Sequence, residues 1–378
     1  MTNRAVILMA AALCVPSVLA EQGAHRSQAV QMYNRIAGMP PSKEVIAKMS
    51  ELIRQGKPIE AGYIATESYG FYNIKLRRMF SSWSNVGGNA DVDLNDMVAT
   101  MIGMVKDNIP FNQVLSGDFI YIGEGESGSV QIPPYSLANN SHYQALQNLD
   151  LRLLLKKHPQ TDITQLPEEA QAGVISTRAF AESYFSAGTN RRATAFTLKH
   201  FLCHEMESLH DTSFPDRKVR HDVNRTPGGD KEVYNNRCKG CHAAMDAISD
   251  WSVYYDFNNQ LVYTAGSVVA KINDPNATQF DTGHYPADDS FENLWASKED
   301  DKIGWKTKQG KGAKDYGNML TATDAFASCM ASQVWSQVCL TDPENNAAAR
   351  DVLAEKFAKH QYNLKQLFAA TASRCLTW

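Results

Sequence analysis

The string Cys238-Lys239-Gly240-Cys241-His242 places two thiols three positions apart, with an imidazole directly after the second. This C-x-x-C-H spacing is the attachment signature of haem c. On a helical turn each thiol reaches one vinyl group of the porphyrin, and the adjacent histidine reaches the iron from one face. Cys238 and Cys241 are the expected covalent anchors, and His242 is the expected proximal iron ligand. A thioredoxin-like dithiol wants a βαβ setting, whereas the flanking pattern is helical. A zinc site wants a second ligand pair at metal spacing, and no second C-x-x-C or H-x-x-x-H lies nearby. One such string implies one covalent haem c in a chain of 378 residues, so most of the chain packs, docks or binds something else.

The second axial position decides what such an iron does. Met or His there gives six-coordinate, electron-transfer iron, and an open position permits ligand binding or oxygen chemistry. Downstream candidates are His284, Met319 and Met330; upstream ones are His200, His204, Met206, His210 and His221. Met319 and Met330 lie 77 and 88 residues past His242, a long reach. Met245, three residues past it, is too close to pass round the porphyrin.

The chain opens Met1-Thr2-Asn3-Arg4, runs apolar from Ala5 to Leu13 and continues to Ser17-Val18-Leu19-Ala20. A charged start, a short apolar run and small residues at the cut make this a secretory signal peptide, cleaved near Ala20. The run is too short to span a bilayer. Cys14 follows Leu13, where a lipoprotein signal wants a small residue, so lipidation is disfavoured. Of 37 Lys and Arg, the cut removes Arg4, leaving 36 against 41 Asp and Glu, a net −5. Such a balance gives no global attraction to nucleic acid or to an anionic membrane. With 43% hydrophobic and 21% charged residues, wholesale disorder and collagen-like structure are excluded. No other stretch approaches ~18 uninterrupted apolar residues, so no transmembrane segment is expected in the mature chain. The expected location is periplasmic, secreted or cell-surface, where disulfides form.

Helical spacing dominates. Val45, Ile46, Met49, Leu52 and Ile53 share a face, with Ser42 as N-cap and Gly56 as stop. Further runs carry Ile64, Phe71, Leu76 and Phe80, then Leu94, Met97, Met101 and Val105 after a cap near Asp93; these stripes are core. Glycines and prolines from Gly117 to Asn140 mark a loop or short hairpin. Helical patterning resumes at residues 142–157, 167–187 and 191–208, and a polar linker follows at 211–230. A hairpin is expected within 261–269, and late helices at 322–338, 346–359 and 364–372.

Four cysteines remain: Cys203, Cys329, Cys339 and Cys375, which allow three full pairings. Cys329 and Cys339 sit ten apart on one expected helix, roughly 15 Å, beyond disulfide reach. Cys339 closes that helix and Cys375 closes the next but one, so this pair would staple a helical hairpin and leave Cys203 with Cys329. Asp246, Asp250 and Asp256 read as a solvated helix face that helps orient the haem edge. Arg191-Arg192 and Lys306-Thr307-Lys308 read as short solvated basic patches. No Ser/His/Asp order, H-E-x-x-H or paired-carboxylate signature stands out.

The stretch from Cys238 to Asp246, followed by Tyr255-Asp256-Phe257, resembles the planctomycete-type cytochrome c domain families. Thr194 to Cys203 resembles their helix before the haem. Phe326-Ala327-Ser328-Cys329 with Gln333-Val334-Trp335 resembles their late helix. Tyr362 to Leu367 resembles the segment before their final helix, and Arg35-Ile36-Ala37-Gly38 with Pro40-Pro41-Ser42 the opening of their N-terminal domain. Ala247 departs from the family's proline, and no histidine lies just before Cys238 to serve as a distal ligand. The resemblance implies an exported, mainly helical monohaem cytochrome.

The expected fold is mainly α: a signal peptide over 1–20, an N-terminal helical domain over 21–135, a helical middle region and linker over 136–235, and a cytochrome c-like helical haem module over 236–378 with short β-hairpin insertions. The expected function is covalent haem binding and single-electron transfer to a redox partner protein. The alternatives are an open-iron haem enzyme of peroxide or oxygen-linked chemistry, and a surface- or polymer-binding protein with a structural haem.

Overall fold

The computed structural model describes residues 15–125, 128, 130–274, 283–299 and 301–375, with side chains from residue 22. The charged start, the apolar run and Cys14 of the expected signal peptide lie outside the described residues. The protein is mainly helical, and its described strands form small two-stranded antiparallel sheets.

Helix α1 (Val15–Ala37) runs on through Ala20 and Glu21. Its buried face, Ala29, Met32, Tyr33, Ile36 and Ala37, starts well past the expected cut and follows three- and four-residue spacing. Helix α2 (Lys43–Arg54) starts where the Ser42 hydroxyl accepts from the Val45 N–H, and stops before Gly56 at φ +73°. Helix α3 is Pro58–Thr66. Helix α4 (Asp96–Lys106) is capped by Asn95 rather than Asp93, its side chain accepting from the Val98 N–H.

The expected helices over 142–157 and 167–187 are broken. A short turn, Leu151–Leu154, leads into strand β2 (Leu155–His158), which pairs with β1 (Ile120–Gly123) from the glycine-rich stretch. The β1 partner lies 32 to 38 residues away, so local spacing does not reveal it. Of the second run, Arg178–Tyr184 remains as helix. The expected hairpin is shifted: β3 (Tyr255–Phe257) pairs with β4 (Leu261–Tyr263) around Asn259 at φ +57°. Strands β5 (Ser290–Glu292) and β6 (Gln309–Lys311) form the third sheet.

Helix α5 (Arg191–Leu202) ends at Cys203 in the left-handed region, and α6 (Lys239–Ser249) carries the C-x-x-C-H string. Helices α7 (Gly312–Thr321), α8 (Asp324–Cys339), α9 (Ala347–Lys359) and α10 (Leu364–Cys375) complete the chain. Helix α10 lies directly on α3: a Cβ at Gly62 would come within 2.9 Å of Ala369 Cα. Lys75 Nζ donates to Gln337 O at 2.9 Å, and Lys365 Nζ meets Glu67 at 2.8 Å, so the last helices close on the first. One hydrophobic core extends from Ala29 to Ala372 and crosses the expected boundaries at 135 and 235. The disulfides are Cys203–Cys329 and Cys339–Cys375, with Cα separations of 5.3 and 5.6 Å, the pairing expected from helix ends. The stretch over 211–230 is not a solvated linker throughout, because Val219, Arg220 and His221 are buried in it.

Candidate functional site

Helix α6 follows a wide π-turn, Tyr234–Cys238, with Cys238 at its N-cap. At about 100° per residue, Cys238, Cys241 and His242 fall on one face, while Gly240 points to the other. Both thiols are free and half-buried. Burial pushes the Cys241 thiol up, with Glu207 adding to the shift. The back of the motif is packed. A Cβ at Gly240 would come within 2.4 Å of His210 Nε2, and Asp211 N donates to Gly240 O at 2.9 Å. Glycine is therefore the residue that lets this segment lie against the helix. His210 consequently sits on the side away from His242.

His242 is 27% exposed, and its Nδ1 lies 3.2 Å from Asp246 Oδ1, one turn further along α6. An ionised carboxylate only accepts, so Nδ1 carries a proton, and in the neutral ring the lone pair is then on Nε2. Among the described residues, Nε2 has no hydrogen-bond partner. A histidine with one nitrogen tied and the other free suits ligation of iron.

Asp246 is fully buried. It also accepts from Arg191 Nε at 2.5 Å, Arg191 Nη2 at 3.0 Å and Arg220 N at 2.9 Å. Burial alone would raise its pKa. The Arg191 charge and the hydrogen bonds from His242 and Arg191 outweigh burial and hold the carboxyl well below the usual carboxylate range. Arg191 also grips Asp222 through two contacts of 2.7 Å. Arg220, fully buried, donates from Nη2 to Asp250 at 3.0 Å and from Nη1 to Thr189 O at 2.6 Å. The other Asp250 oxygen lies 3.0 Å from His284 Nε2. A continuous polar chain thus joins His242 to His284 through the protein interior.

Three expectations are corrected by these contacts. Asp246 and Asp250 are not a solvated face, each being buried and paired, and Arg191 is not a solvated patch, its side chain only 16% exposed and paired with two carboxylates. Asp256 is half-buried against Lys271 at 2.7 Å.

Met206 and His210 lie in the segment packed against the motif, with Met206 O 4.0 Å from Cys241 Sγ, and the other distal candidates are dispersed. Met330 is fully buried within α8, and the Met319 sulfur accepts from Asn293 Nδ2 at 3.5 Å. His284 is taken by Asp250, and His204 Nδ1 lies 2.7 Å from Leu202 O. His200 packs between Trp83 and Phe196, where burial pushes its pKa down to about 4. His221 stacks on Tyr285 with ring centroids 4.0 Å apart.

Sequence reasoning missed the roles of Arg191, Asp222 and Arg220. The available signal was His242-x-x-x-Asp246, a spacing that places a carboxylate one turn from the proximal imidazole. Among the described residues no three His, Cys, Asp or Glu side chains converge as a metal-holding group. Attachment to a porphyrin needs two thiols and one imidazole spread over a face, whereas a bare ion needs convergence. The described helices include none long and apolar enough to cross a membrane. No protein-family model, curated protein or solved structure matches this chain.

Proposed function

We propose that the chain is an exported monohaem c-type cytochrome, with Cys238 and Cys241 as thioether anchors and His242 as proximal ligand. The observation that carries this is two free thiols on one helix face with a histidine whose Nδ1–H is tied to Asp246. Bound haem supplies a reversible one-electron step at iron. The chain's own part is to hold the group, fix the imidazole tautomer and cover one side of the motif with the Met206–Asp211 segment. The half-exposed face at Cys238, Cys241 and His242 leaves an edge open to a redox partner protein. The two disulfides and the N-terminal segment support a periplasmic or secreted location. The resemblance to planctomycete-type cytochrome c domains and a cytochrome c-like arrangement of residues 236–378 belong to the same proposal.

In a host that matures c-type haem, Cys241→Ala is expected to hold haem by one thioether at most, with a fall in yield read from a haem-stained denaturing gel. Doubly attached haem at wild-type level in this variant would refute the assignment.

A second reading, an open-iron haem enzyme, is favoured by one observation: Met319, His284 and His204 already have partners, and Met330 is inside α8. Carbon monoxide binding to the reduced protein separates the two. Rapid binding favours open iron, and an unchanged low-spin spectrum favours the electron carrier.

A further inference from the structure

We propose that Asp246 is a positioning residue that sets the redox balance of the haem iron through His242, biasing it toward the ferric state. This rests on the haem reading above and goes beyond it, because haem attachment needs the thiols and the imidazole but not a buried anion behind them.

Any acceptor, even a backbone carbonyl, would fix the His242 tautomer. The acceptor here is a fully buried carboxylate. It accepts from two Arg191 nitrogens and from the Arg220 backbone N–H, and so cannot rotate away. Around it lie two guanidiniums, Arg191 and Arg220, and three carboxylates, Asp222, Asp246 and Asp250, linked by short contacts. Two positive against three negative charges leave the group at −1 when its histidines are neutral. Loss of one electron from iron adds one positive charge beyond Nε2. A buried negative group hydrogen-bonded to the other ring nitrogen stabilises that added charge and makes the imidazole a stronger donor.

The competing account is that Asp246 only anchors Arg191 and Arg220 in the fold. A structural role predicts a loss of stability with no change in potential. The test uses the full chain, exported from a host with c-haem maturation, as wild type, Asp246→Asn and Asp222→Asn. Potentials are read by spectroscopic redox titration, and folding by circular dichroism. Asp246→Asn keeps an acceptor oxygen and the side-chain size but removes the charge. It is expected to raise the midpoint potential, lowering the ferric-to-ferrous ratio at fixed potential about tenfold, or about 59 mV for one electron. Asp222→Asn, which does not touch His242, is expected to move it the same way by less, and it carries the test if Asp246→Asn fails to fold.

Attached haem with an unshifted potential in a folded Asp246→Asn protein would overturn this inference and leave the haem reading standing. If Asp246→Asn does not fold, an unshifted Asp222→Asn would do the same. No covalent haem in the wild type would take both down.

Discussion

His242 is defined by one neighbour in sequence and two residues a turn away. Cys241 and Cys238 share its face, and Asp246 takes its Nδ1 proton. A second histidine makes the opposite use of burial. His200 lies between Trp83 and Phe196 and is held neutral, its pKa lowered from 6.5 to about 4 by burial, with the Lys199 charge adding to it. As pH falls through the window from 6.5 to 4, the unfolded chain takes up a proton that the folded chain refuses, so stability falls. The full loss is about 3 kcal/mol. Denaturant unfolding at pH 7 and pH 4.5 should show this slope in the wild type and a flatter one in His200→Phe; equal slopes would contradict it. At this scale the sequence was legible where chemistry dictates local spacing. Cys238, Cys241 and His242 share a helix face as C-x-x-C-H spacing predicts, whereas Asp246, equally local to His242, reads from sequence as part of a solvated face. Arg191 was misread as solvated because its partners, Asp222 and Asp246, lie 31 and 55 residues away.

Elements follow the same division between local and distant causes. Helices α2 and α4 were readable from period and caps within the segment, and α8, α9 and α10 from their local apolar spacing. The helix over 142–157 was over-read because Leu155–His158 is recruited by β1, a partner no local pattern announces. The contact of α3 with α10 is likewise invisible locally. Gly62 sits inside α3, where replacing glycine should help a helix by up to about 1 kcal/mol. Ala369 Cα and Cβ stand 2.9 Å from where a Cβ would be, and overpacking of this kind costs about 1–3 kcal/mol. Gly62→Val adds a β-branched side chain at that contact and is expected to lower stability by about 1–3 kcal/mol in denaturant unfolding. A gain in stability would show that the two helices do not need this close approach.

Across the whole molecule, the C-terminal helices return to the N-terminal ones through packing and the Lys75 and Lys365 contacts, while two disulfides tie α8 to α5 and to α10. Cys203–Cys329 spans 126 residues and Cys339–Cys375 spans 36. Loop-closure entropy makes the longer one worth more, about 5 against about 4 kcal/mol at the upper end. Cys203→Ser with Cys329→Ser should therefore destabilise more than Cys339→Ser with Cys375→Ser, each by about 2–5 kcal/mol in urea unfolding. An unchanged midpoint in both would contradict a stapling role. The Cys339–Cys375 pair was legible because both cysteines close helices, and Cys203–Cys329 followed as the remaining pair, with Cys329 inside α8. The joining of the halves into one core was not, since it rests on packing between segments some three hundred residues apart.

The proposed function stands on one haem carried by Cys238 and Cys241. Its most direct test is the intact mass of the denatured protein after export from a host with c-haem maturation. The expected mass is that of the mature chain plus one covalently held haem, with peptide mapping placing both thioethers at Cys238 and Cys241. A mass without haem, with those two thiols free or joined to each other, would contradict it.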